Sequence, residues 1–308
     1  MTNRTAQRKR SSAKAHPKAA SRNGRRGPRG RRSSSTRYRL AAVGAVIVVV
    51  LVMVVLSISN HEKVAPTPGT SGAETVIAAV TSVPASALDA VGAGEGISSP
   101  ARIPAGAPAV TLDGKPEVLY IGAEYCPFCA SERWPTVIAL SRFGTFSGLG
   151  LTTSSSTDVF PSTPTLTFHG APYSSDLISF VGVEMNTNQL AAAGLGYVPL
   201  DTLTPEQLQL MQTYDAPPYT SQSGSIPFVL IGNRFASAGS SYPPDILQGK
   251  TWEQIASALS DPSSEIAKQV LAAANVVTAS ICELTGGQPT NVCTAPGVTS
   301  AAALLPSA

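Results

Sequence analysis

Residues 117–130, Glu-Val-Leu-Tyr-Ile-Gly-Ala-Glu-Tyr-Cys-Pro-Phe-Cys-Ala, join a short apolar run to a pair of cysteines. The run at 118–121 has the length and composition of a strand buried inside a sheet. Gly122 allows the backbone to turn. Pro127 stands where the first residue of a helix would lie, a position that tolerates proline because its N–H has no helical partner. The stretch therefore predicts a buried strand, a tight turn and a helix that begins at the cysteines.

The predicted position of the cysteines, at the N-terminus of a helix, favours redox chemistry. Unpaired N–H groups and the positive end of the helix dipole stabilise a thiolate there, so the pKa of Cys126 is expected below its free value of about 8.5. Cys126 would act as the nucleophile, and Cys129, one turn later, would resolve the mixed disulfide. Pro127 and Phe128 are expected to tune the redox potential. Half of a zinc site and an inert structural pair are the alternatives.

This stretch resembles the active site of the thioredoxin superfamily. The run at 120–134, followed by Ala-Leu-Ser-Arg-Phe-Gly-Thr-Phe at 139–146, is similar to a membrane-anchored thioredoxin-like family, domain of unknown function 929. The similarity extends from about Val76 to Cys293. It implies an α/β fold in which a central mixed sheet is flanked by helices. Because that family has no assigned activity, the resemblance supports the fold more than the reaction.

A second motif lies far along the chain from the cysteine pair. Ile226 and Pro227 precede an apolar run at 228–231 and a Gly-Asn turn, a pattern that predicts a hairpin. The resemblance implies that Ile226-Pro227 is a cis-proline loop, which packs against the cysteines and binds extended substrate. An ordinary trans proline that opens a strand is the alternative. Pro227 follows Cys126 by 101 residues, which indicates an insertion of the kind found in the DsbA class of oxidoreductases.

One position departs from the thioredoxin pattern. Thioredoxins carry a buried acid six residues before the first cysteine, and here that residue is Tyr120. The difference weakens the case for a thioredoxin-style reductase mechanism. Glu124, nearer the cysteines, is expected either to assist proton transfer and tune the pair or to be an exposed turn residue.

Cys282 and Cys293 flank a second loop, of ten residues, that contains Gly and Pro. In an oxidising compartment this spacing favours a structural disulfide that ties the end of the chain to the preceding helix. A second redox relay and a zinc ion shared with Cys126 and Cys129 are the alternatives. His169 is the one histidine in the globular part, so no His-rich metal site is expected, and no metal or other cofactor is predicted.

Charge is distributed unevenly along the chain. Residues 1–39 hold fourteen Lys and Arg and no acid, whereas the chain beyond residue 60 holds eight basic and nineteen acidic residues, a net charge of −11. The acidic part repels nucleic acid, so no nucleic-acid binding is expected of the folded domain. The basic tail is poor in large apolar side chains and is predicted to be disordered. The sequence contains no Walker loop, Rossmann fingerprint, nucleophile elbow or zincin motif.

Residues 40–58 form an uncharged apolar run that predicts a transmembrane helix. Nineteen helical residues cover about 28 Å, close to the ~30 Å hydrocarbon core of a bilayer. The basic flank predicts that residues 1–39 stay in the cytoplasm and that the rest lies outside a bacterial plasma membrane. A cleaved signal peptide is the alternative. It is disfavoured because its apolar region is usually about 7–15 residues and no A-x-A site follows.

The rest of the chain is divided into three segments. A linker with Pro and Gly at 59–73 leads to a thioredoxin-like domain at 74–295, and a flexible tail is expected at 296–308. Within the domain, helices are predicted to start at Thr204, as an N-cap before a proline, and at Thr251.

Together with the resemblance, these patterns predict a single-pass membrane protein whose extracytoplasmic domain exchanges thiols and disulfides with other proteins. An unidentified membrane redox partner is expected, because the cysteine pair must be reset after each turnover. A dedicated thiol reductase, for example in cytochrome maturation, is one alternative. The other is a membrane-tethered binding or assembly factor whose thioredoxin-like fold and cysteine pair are structural.

Overall fold

The computed structural model describes residues 69–192 and 195–307. Its helices are, in chain order, α1 (Thr70–Thr81), α2 (Ala85–Val91), α3 (Pro127–Leu140), α4 (Pro205–Tyr214), α5 (Trp252–Ala258), α6 (Glu265–Leu284), α7 (Thr290–Cys293) and α8 (Pro296–Ala302), with a 3₁₀ turn at Pro244–Leu247. Its strands are β1 (Ala101–Arg102), β2 (Thr111–Leu112), β3 (Lys115–Gly122), β4 (Thr145–Phe146), β5 (Gly150–Thr153), β6 (Pro164–Thr167), β7 (Tyr173–Ser174), β8 (Ser179–Glu184), β9 (Asn186–Leu190), β10 (Tyr197–Pro199), β11 (Phe228–Ile231) and β12 (Phe235–Ala238).

A six-stranded mixed sheet lies at the centre of the domain. Its strands run in the order β1-β12-β11-β3-β2, and β8 also pairs with β3. The strands β11 and β12 form an antiparallel hairpin, and β11 is antiparallel to β3, with Val118 opposite Ile231. The strand β8 is parallel to β3, with Val118 opposite Phe180. The predicted α/β class, with a central mixed sheet flanked by helices, is confirmed.

The side chains of β3 alternate between two hydrophobic cores, as the period of a strand requires. Val118 and Tyr120 belong to the larger core, which α3 and α6 cover. Leu119 and Ile121 belong to a smaller core on the other face. Both faces of the strand are therefore buried, which explains why its sequence reads as a continuous apolar run. The larger core includes Trp134, Leu140, Phe235, Trp252, Val270 and Leu271, and the smaller one Ile103, Val110, Met211, Tyr214 and Phe228.

The chain between α3 and β11 contains three two-stranded sheets, β4–β7, β5–β6 and β9–β10, together with β8 of the central sheet and helix α4. The predicted N-cap at Thr204 is confirmed, and the helix predicted to start at Thr251 has that residue as its N-cap; each is part of a capping box with a glutamine three residues later.

Two predicted segment boundaries differ from the structure. Helix α1 begins at Thr70, inside the linker expected at 59–73. Residues 296–308, expected to be a flexible tail, instead begin with helix α8. Val298 and Ala301, three residues apart on one face of α8, are buried, and the Gly297 N–H donates a hydrogen bond to Asp89. Apolar burial and this bond hold α8 against the domain.

The predicted membrane span at 40–58 and the basic tail at 1–39 lie outside the described residues. Within the described ranges, no single helix is long and apolar enough to cross a membrane. Helices α1 and α2 reach the required length and composition only as a pair, across a bend of 58°.

Candidate active site

The cysteine pair lies where the central strand meets helix α3. The strand β3 ends at Gly122, and Cys126 is the N-cap of α3, with Pro127 at the first helical position. The Cys126 Sγ accepts a hydrogen bond from the backbone N–H of Cys129 at 3.4 Å. Both cysteines are thiols, and both are buried, Cys126 with 6% and Cys129 with 0% of its surface exposed. The predicted strand, turn and helix are confirmed.

The two thiols differ in their electrostatic surroundings. The pKa of Cys126 is lowered, first by its hydrogen bond with the Cys129 side chain and then by the N–H groups of Cys129 and Phe128 and the charge of Arg133, against burial, which raises it. The pKa of Cys129 lies well above its usual value, chiefly because the side chain is completely buried. A thiolate therefore forms at Cys126 first, while Cys129 keeps its proton.

The predicted substrate loop lies directly against the first cysteine. The Cys126 thiol points at the carbonyl oxygen of Ile226, and the Sγ–O distance is 3.8 Å. The Ile226–Pro227 peptide bond is cis, as predicted. Because β11 starts at Phe228 and pairs with β3, the sheet fixes the position of this loop beside the cysteines. The fold thus brings together two motifs that are 101 residues apart in the sequence.

A third segment, residues 238–242, closes the same side of the site. The Gly239 N–H donates a hydrogen bond of 2.8 Å to the carbonyl oxygen of Pro227. The hydroxyl of Ser240 lies 2.7 Å from the hydroxyl of Ser131 on helix α3. Both carboxylate oxygens of Glu132, also on α3, accept hydrogen bonds from Ser241. Residues 238–242 are therefore bound both to the active-site helix and to the proline loop.

A buried ion pair lies beneath the second cysteine. The guanidinium of Arg133 on α3 binds the carboxylate of Glu184 on β8 through two hydrogen bonds, of 2.7 and 2.6 Å, and both side chains are completely buried. Arg133 also donates to the carbonyl oxygen of Ala123, at 2.8 Å. Burial raises the pKa of Glu184, and Arg133 opposes this rise.

Tyr120, six residues before Cys126 on β3, is completely buried. Its ring lies 5.9 Å from the guanidinium carbon of Arg133, and its hydroxyl donates to the carbonyl oxygen of Cys129 at 3.5 Å. Burial raises the pKa of this phenol well above its usual value, so it stays protonated at neutral pH. The charged groups below the cysteine pair are therefore Arg133 and Glu184.

Aromatic residues form the rim of the site. Phe128, between the two cysteines, has 38% of its surface exposed and contacts Phe160 edge to face, with 6.2 Å between ring centres. Tyr125 stacks on Tyr197 of β10 at 4.0 Å. Glu124, in the turn, is half-buried and its N–H donates to a carbonyl oxygen of β9. No hydrogen bond in the described part of the chain links its carboxylate to either cysteine.

Cys282 and Cys293 form the predicted disulfide. It connects the end of α6 to α7, which precedes the final helix α8. Because these sulfur atoms are bonded to each other, they are not free to share a metal with Cys126 and Cys129. Among residues 69–192 and 195–307, no cluster of three or more His, Cys, Asp or Glu side chains has the geometry of a metal site.

The sequence patterns identified the cysteines and the proline loop but not Glu132, Arg133 or Glu184. Glu132 and Arg133 lie within the first three turns of a helix whose sides are almost all buried, so charged residues there require partners. The apolar residues of this helix indicate that it is buried, and this was the signal in the sequence that its charged residues need partners. The partners themselves, Ser241 and Glu184, lie 109 and 51 residues away, and no local pattern marks them.

The fold and the site together define an α/β domain with a Cys-Pro-Phe-Cys dithiol at the end of its central strand. The family described as Domain of unknown function (DUF929) matches residues 107–283, more than half of the chain, and the chain belongs to this family. The match includes both cysteines and Pro227. No curated protein matches the sequence, and no solved structure matches it.

Proposed function

We propose that this protein is a membrane-anchored thiol–disulfide oxidoreductase that acts on extracytoplasmic proteins through Cys126 and Cys129. One observation carries the proposal. A cysteine at a helix N-cap, with its pKa lowered, lies 3.4 Å from the N–H of a second cysteine whose pKa is raised, and 3.8 Å from the carbonyl of Ile226. This asymmetry is the one that ordered disulfide exchange requires.

The reaction proceeds through a mixed disulfide. The Cys126 thiolate attacks one sulfur of a substrate disulfide, the substrate S–S bond breaks, and the released substrate thiolate takes up a proton. The Cys129 thiol then gives up its proton and attacks the Cys126 sulfur, which releases the second substrate thiolate. The substrate gains two electrons and two protons, and the enzyme pair becomes a disulfide. In the oxidising direction every step reverses, and the substrate dithiol becomes a disulfide.

The proton held by Cys129 sets the order of these steps. Because burial keeps this group a thiol, Cys129 does not compete with Cys126 for the substrate. It becomes reactive when its proton passes to the departing substrate thiolate. The positive charge of Arg133 opposes the effect of burial at both thiols and so favours the thiolate form of each.

The loop at Ile226 and Pro227 positions the substrate. Ile226 is half-buried and its carbonyl faces the Cys126 sulfur, so an extended segment of a substrate bound beside it brings its own sulfur to the thiolate. Phe128 and Tyr125 on the rim offer aromatic contacts to the same segment. Pro127 and Phe128, between the cysteines, tune the redox potential.

A thioredoxin-like arrangement with a DsbA-like insertion is supported by the strand order. The unit β3–α3 carries the dithiol, β8 is parallel to β3, and the hairpin β11–β12 is antiparallel to it. The basic segment at 1–39 and the apolar run at 40–58 support an anchored protein with an extracytoplasmic domain. A membrane dithiol–disulfide partner resets the pair after each turnover.

Trapping of substrates tests the function. Cys129→Ser in the full-length chain should accumulate mixed disulfides with extracytoplasmic proteins, because the second step is blocked while Cys126 still reacts. Cys126→Ser should trap none and should abolish the activity. If cells with Cys126→Ser/Cys129→Ser show the same disulfide state of their extracytoplasmic proteins as wild-type cells, the enzyme proposal fails. A tethered binding or assembly factor would then account for the fold.

A further inference from the structure

Glu132 is a buried acid that the exchange mechanism leaves unused. It lies on α3 three residues after Cys129, and only 2% of its surface is exposed. Among the described residues, the close contacts between basic and acidic side chains join Arg102 to Glu283, Arg133 to Glu184 and His169 to Asp201, so none of them involves Glu132. A buried carboxylate without a cation is costly and calls for a reason.

Both oxygens of the Glu132 carboxylate bind a single residue. One oxygen accepts from the backbone N–H of Ser241 and the other from its hydroxyl, each at 2.8 Å. Two hydrogen bonds from one residue fix that residue in both position and orientation. Bonds to an ionised acceptor are roughly twice as strong as neutral ones. The ionised carboxylate therefore binds residues 238–242 tightly to α3.

A continuous set of contacts leads from Glu132 to the reactive sulfur. Two residues before Ser241, the N–H of Gly239 donates to the Pro227 carbonyl at 2.8 Å. The next carbonyl back along the chain, that of Ile226, faces the Cys126 sulfur at 3.8 Å. Displacement of residues 238–242 would therefore remove a hydrogen bond that fixes Pro227 beside the thiolate.

The environment of Glu132 allows it to exchange protons with water. A cavity of about 170 Å³ reaches the side chain and is lined by hydroxyl groups, including those of Ser237 and Ser280. That volume accommodates several water molecules. Among the described residues, no Lys, Arg or His lines this cavity, and Tyr219 is its other titratable residue. Tyr242 faces Glu132 from the bound segment, and burial raises the pKa of its phenol well above the usual value.

We propose that Glu132 is a positioning residue whose carboxylate holds residues 238–242 and, through Gly239, fixes Pro227 beside Cys126, so that protonation of Glu132 slows thiol–disulfide exchange. The inference rests on the proposed function and adds a means of pH regulation to it. A protonated carboxyl has one O–H donor in place of an acceptor, so its bond with the Ser241 hydroxyl must reverse, and both bonds to Ser241 lose their charge-assisted strength. Burial raises the pKa of Glu132 to about 7, so this change falls within the physiological range.

Two rates measured on the full-length chain between pH 5.5 and 8.5 test the role of Glu132. The first is exchange with a short peptide disulfide, which requires the proline loop. The second is alkylation of Cys126 by iodoacetamide, which reports its thiolate population alone. Dividing the exchange rate by the alkylation rate removes the contribution of Cys126 ionisation to the pH dependence. In the wild-type chain the ratio should fall by about fivefold from pH 8 to pH 6, the effect expected for the loss of a charge-assisted hydrogen bond.

Variants separate a positioning role from a purely structural one. The side chain of Glu132→Gln cannot ionise, so the ratio of the exchange rate to the alkylation rate should be low at pH 8 and should not change with pH. Ser241→Ala keeps the backbone bond and should give an intermediate ratio with the wild-type pH dependence. Glu95→Gln, in an exposed loop, is the matched control and should reproduce the wild-type profile.

The possible results distinguish this inference from the proposed function. If the wild-type chain does not exchange with the peptide at any pH, the proposed function fails. If it exchanges but its ratio is the same at pH 6 and pH 8, the positioning role of Glu132 fails and the function stands. The wild-type profile decides this point even if Glu132→Gln does not fold.

Discussion

Removal of the buried Glu184 carboxylate should destabilise the domain strongly. In Glu184→Gln, the guanidinium of Arg133 would stay in the interior without a counter-ion. Both side chains are 0% exposed, and two hydrogen bonds of 2.6 and 2.7 Å would be lost or weakened. The Arg133 Nη1 has no hydrogen-bond partner among the described residues, and the other acceptor of the guanidinium, the Ala123 carbonyl, carries no charge to replace the carboxylate.

The expected loss is about 3–5 kcal/mol of the free energy of unfolding, the usual cost of breaking a buried ion pair from one side. The matched control is Glu283→Gln, which removes the carboxylate of the Arg102–Glu283 pair. That pair has a similar N–O distance, 2.7 Å, but its side chains are 17% and 36% exposed. Its loss should cost less than about 1 kcal/mol, because water compensates an exposed charge.

Urea unfolding at pH 7 provides the measurement. Trp134 and Trp252 are completely buried in the larger core, so their fluorescence reports the loss of that core. The double variant Arg133→Met/Glu184→Leu should recover part of the stability that Glu184→Gln loses, because no uncompensated charge remains. A value for Glu184→Gln within 1 kcal/mol of the control would mean that the buried ion pair stabilises the domain no more than the exposed one and that Arg133 finds another partner.

Three further perturbations have defined outcomes. Iodoacetamide should alkylate Cys126 at a lower pH than an ordinary cysteine requires and leave Cys129 unmodified, because only the pKa of the first thiol is lowered; mass spectrometry after proteolysis checks the site. Replacement of Cys282 and Cys293 by serine should lower the free energy of unfolding by about 3 kcal/mol, since the disulfide closes a loop with a separation of 11 residues. Reducing agent should abolish that difference. Glu132→Gln should make stability less dependent on pH. The pKa of Glu132 rises on folding, so its contribution is fully present at acidic pH and is lost as the pH rises through about 7. Denaturant titrations should show that the free energy of unfolding decreases from pH 5 to pH 8 by about 3 kcal/mol less in Glu132→Gln than in the wild-type chain.

The elements nearest the cysteines were predictable because their signals are local. An apolar run, a glycine and a proline mark β3, the turn and the start of α3 within 14 residues, and the proline before β11 marks the loop that lies against Cys126. Such patterns reflect backbone preferences and the alternation of side chains, which act over a few residues.

The polar contacts that hold the site were not predictable in the same way. Glu132 binds Ser241, and Arg133 binds Glu184, only because the completed sheet places their elements side by side. Neither pair leaves a periodic pattern in the sequence, and a charged residue on a helix is usually exposed. The final helix α8 was missed for a related reason. Its segment is short and rich in small residues, and burial against the domain, rather than helix propensity, stabilises it.

The most direct test of the central claim is the redox equilibrium of the Cys126–Cys129 pair with glutathione in the full-length chain. Because the thiolate of Cys126 is stabilised, we predict that the pair equilibrates with glutathione, and a potential of about −120 to −180 mV, the range of DsbA and protein disulfide isomerase, would identify an oxidase or isomerase. A potential near the −270 mV of thioredoxin would identify a reductase instead. A pair that does not equilibrate with glutathione at all would contradict the claim that this site exchanges disulfides.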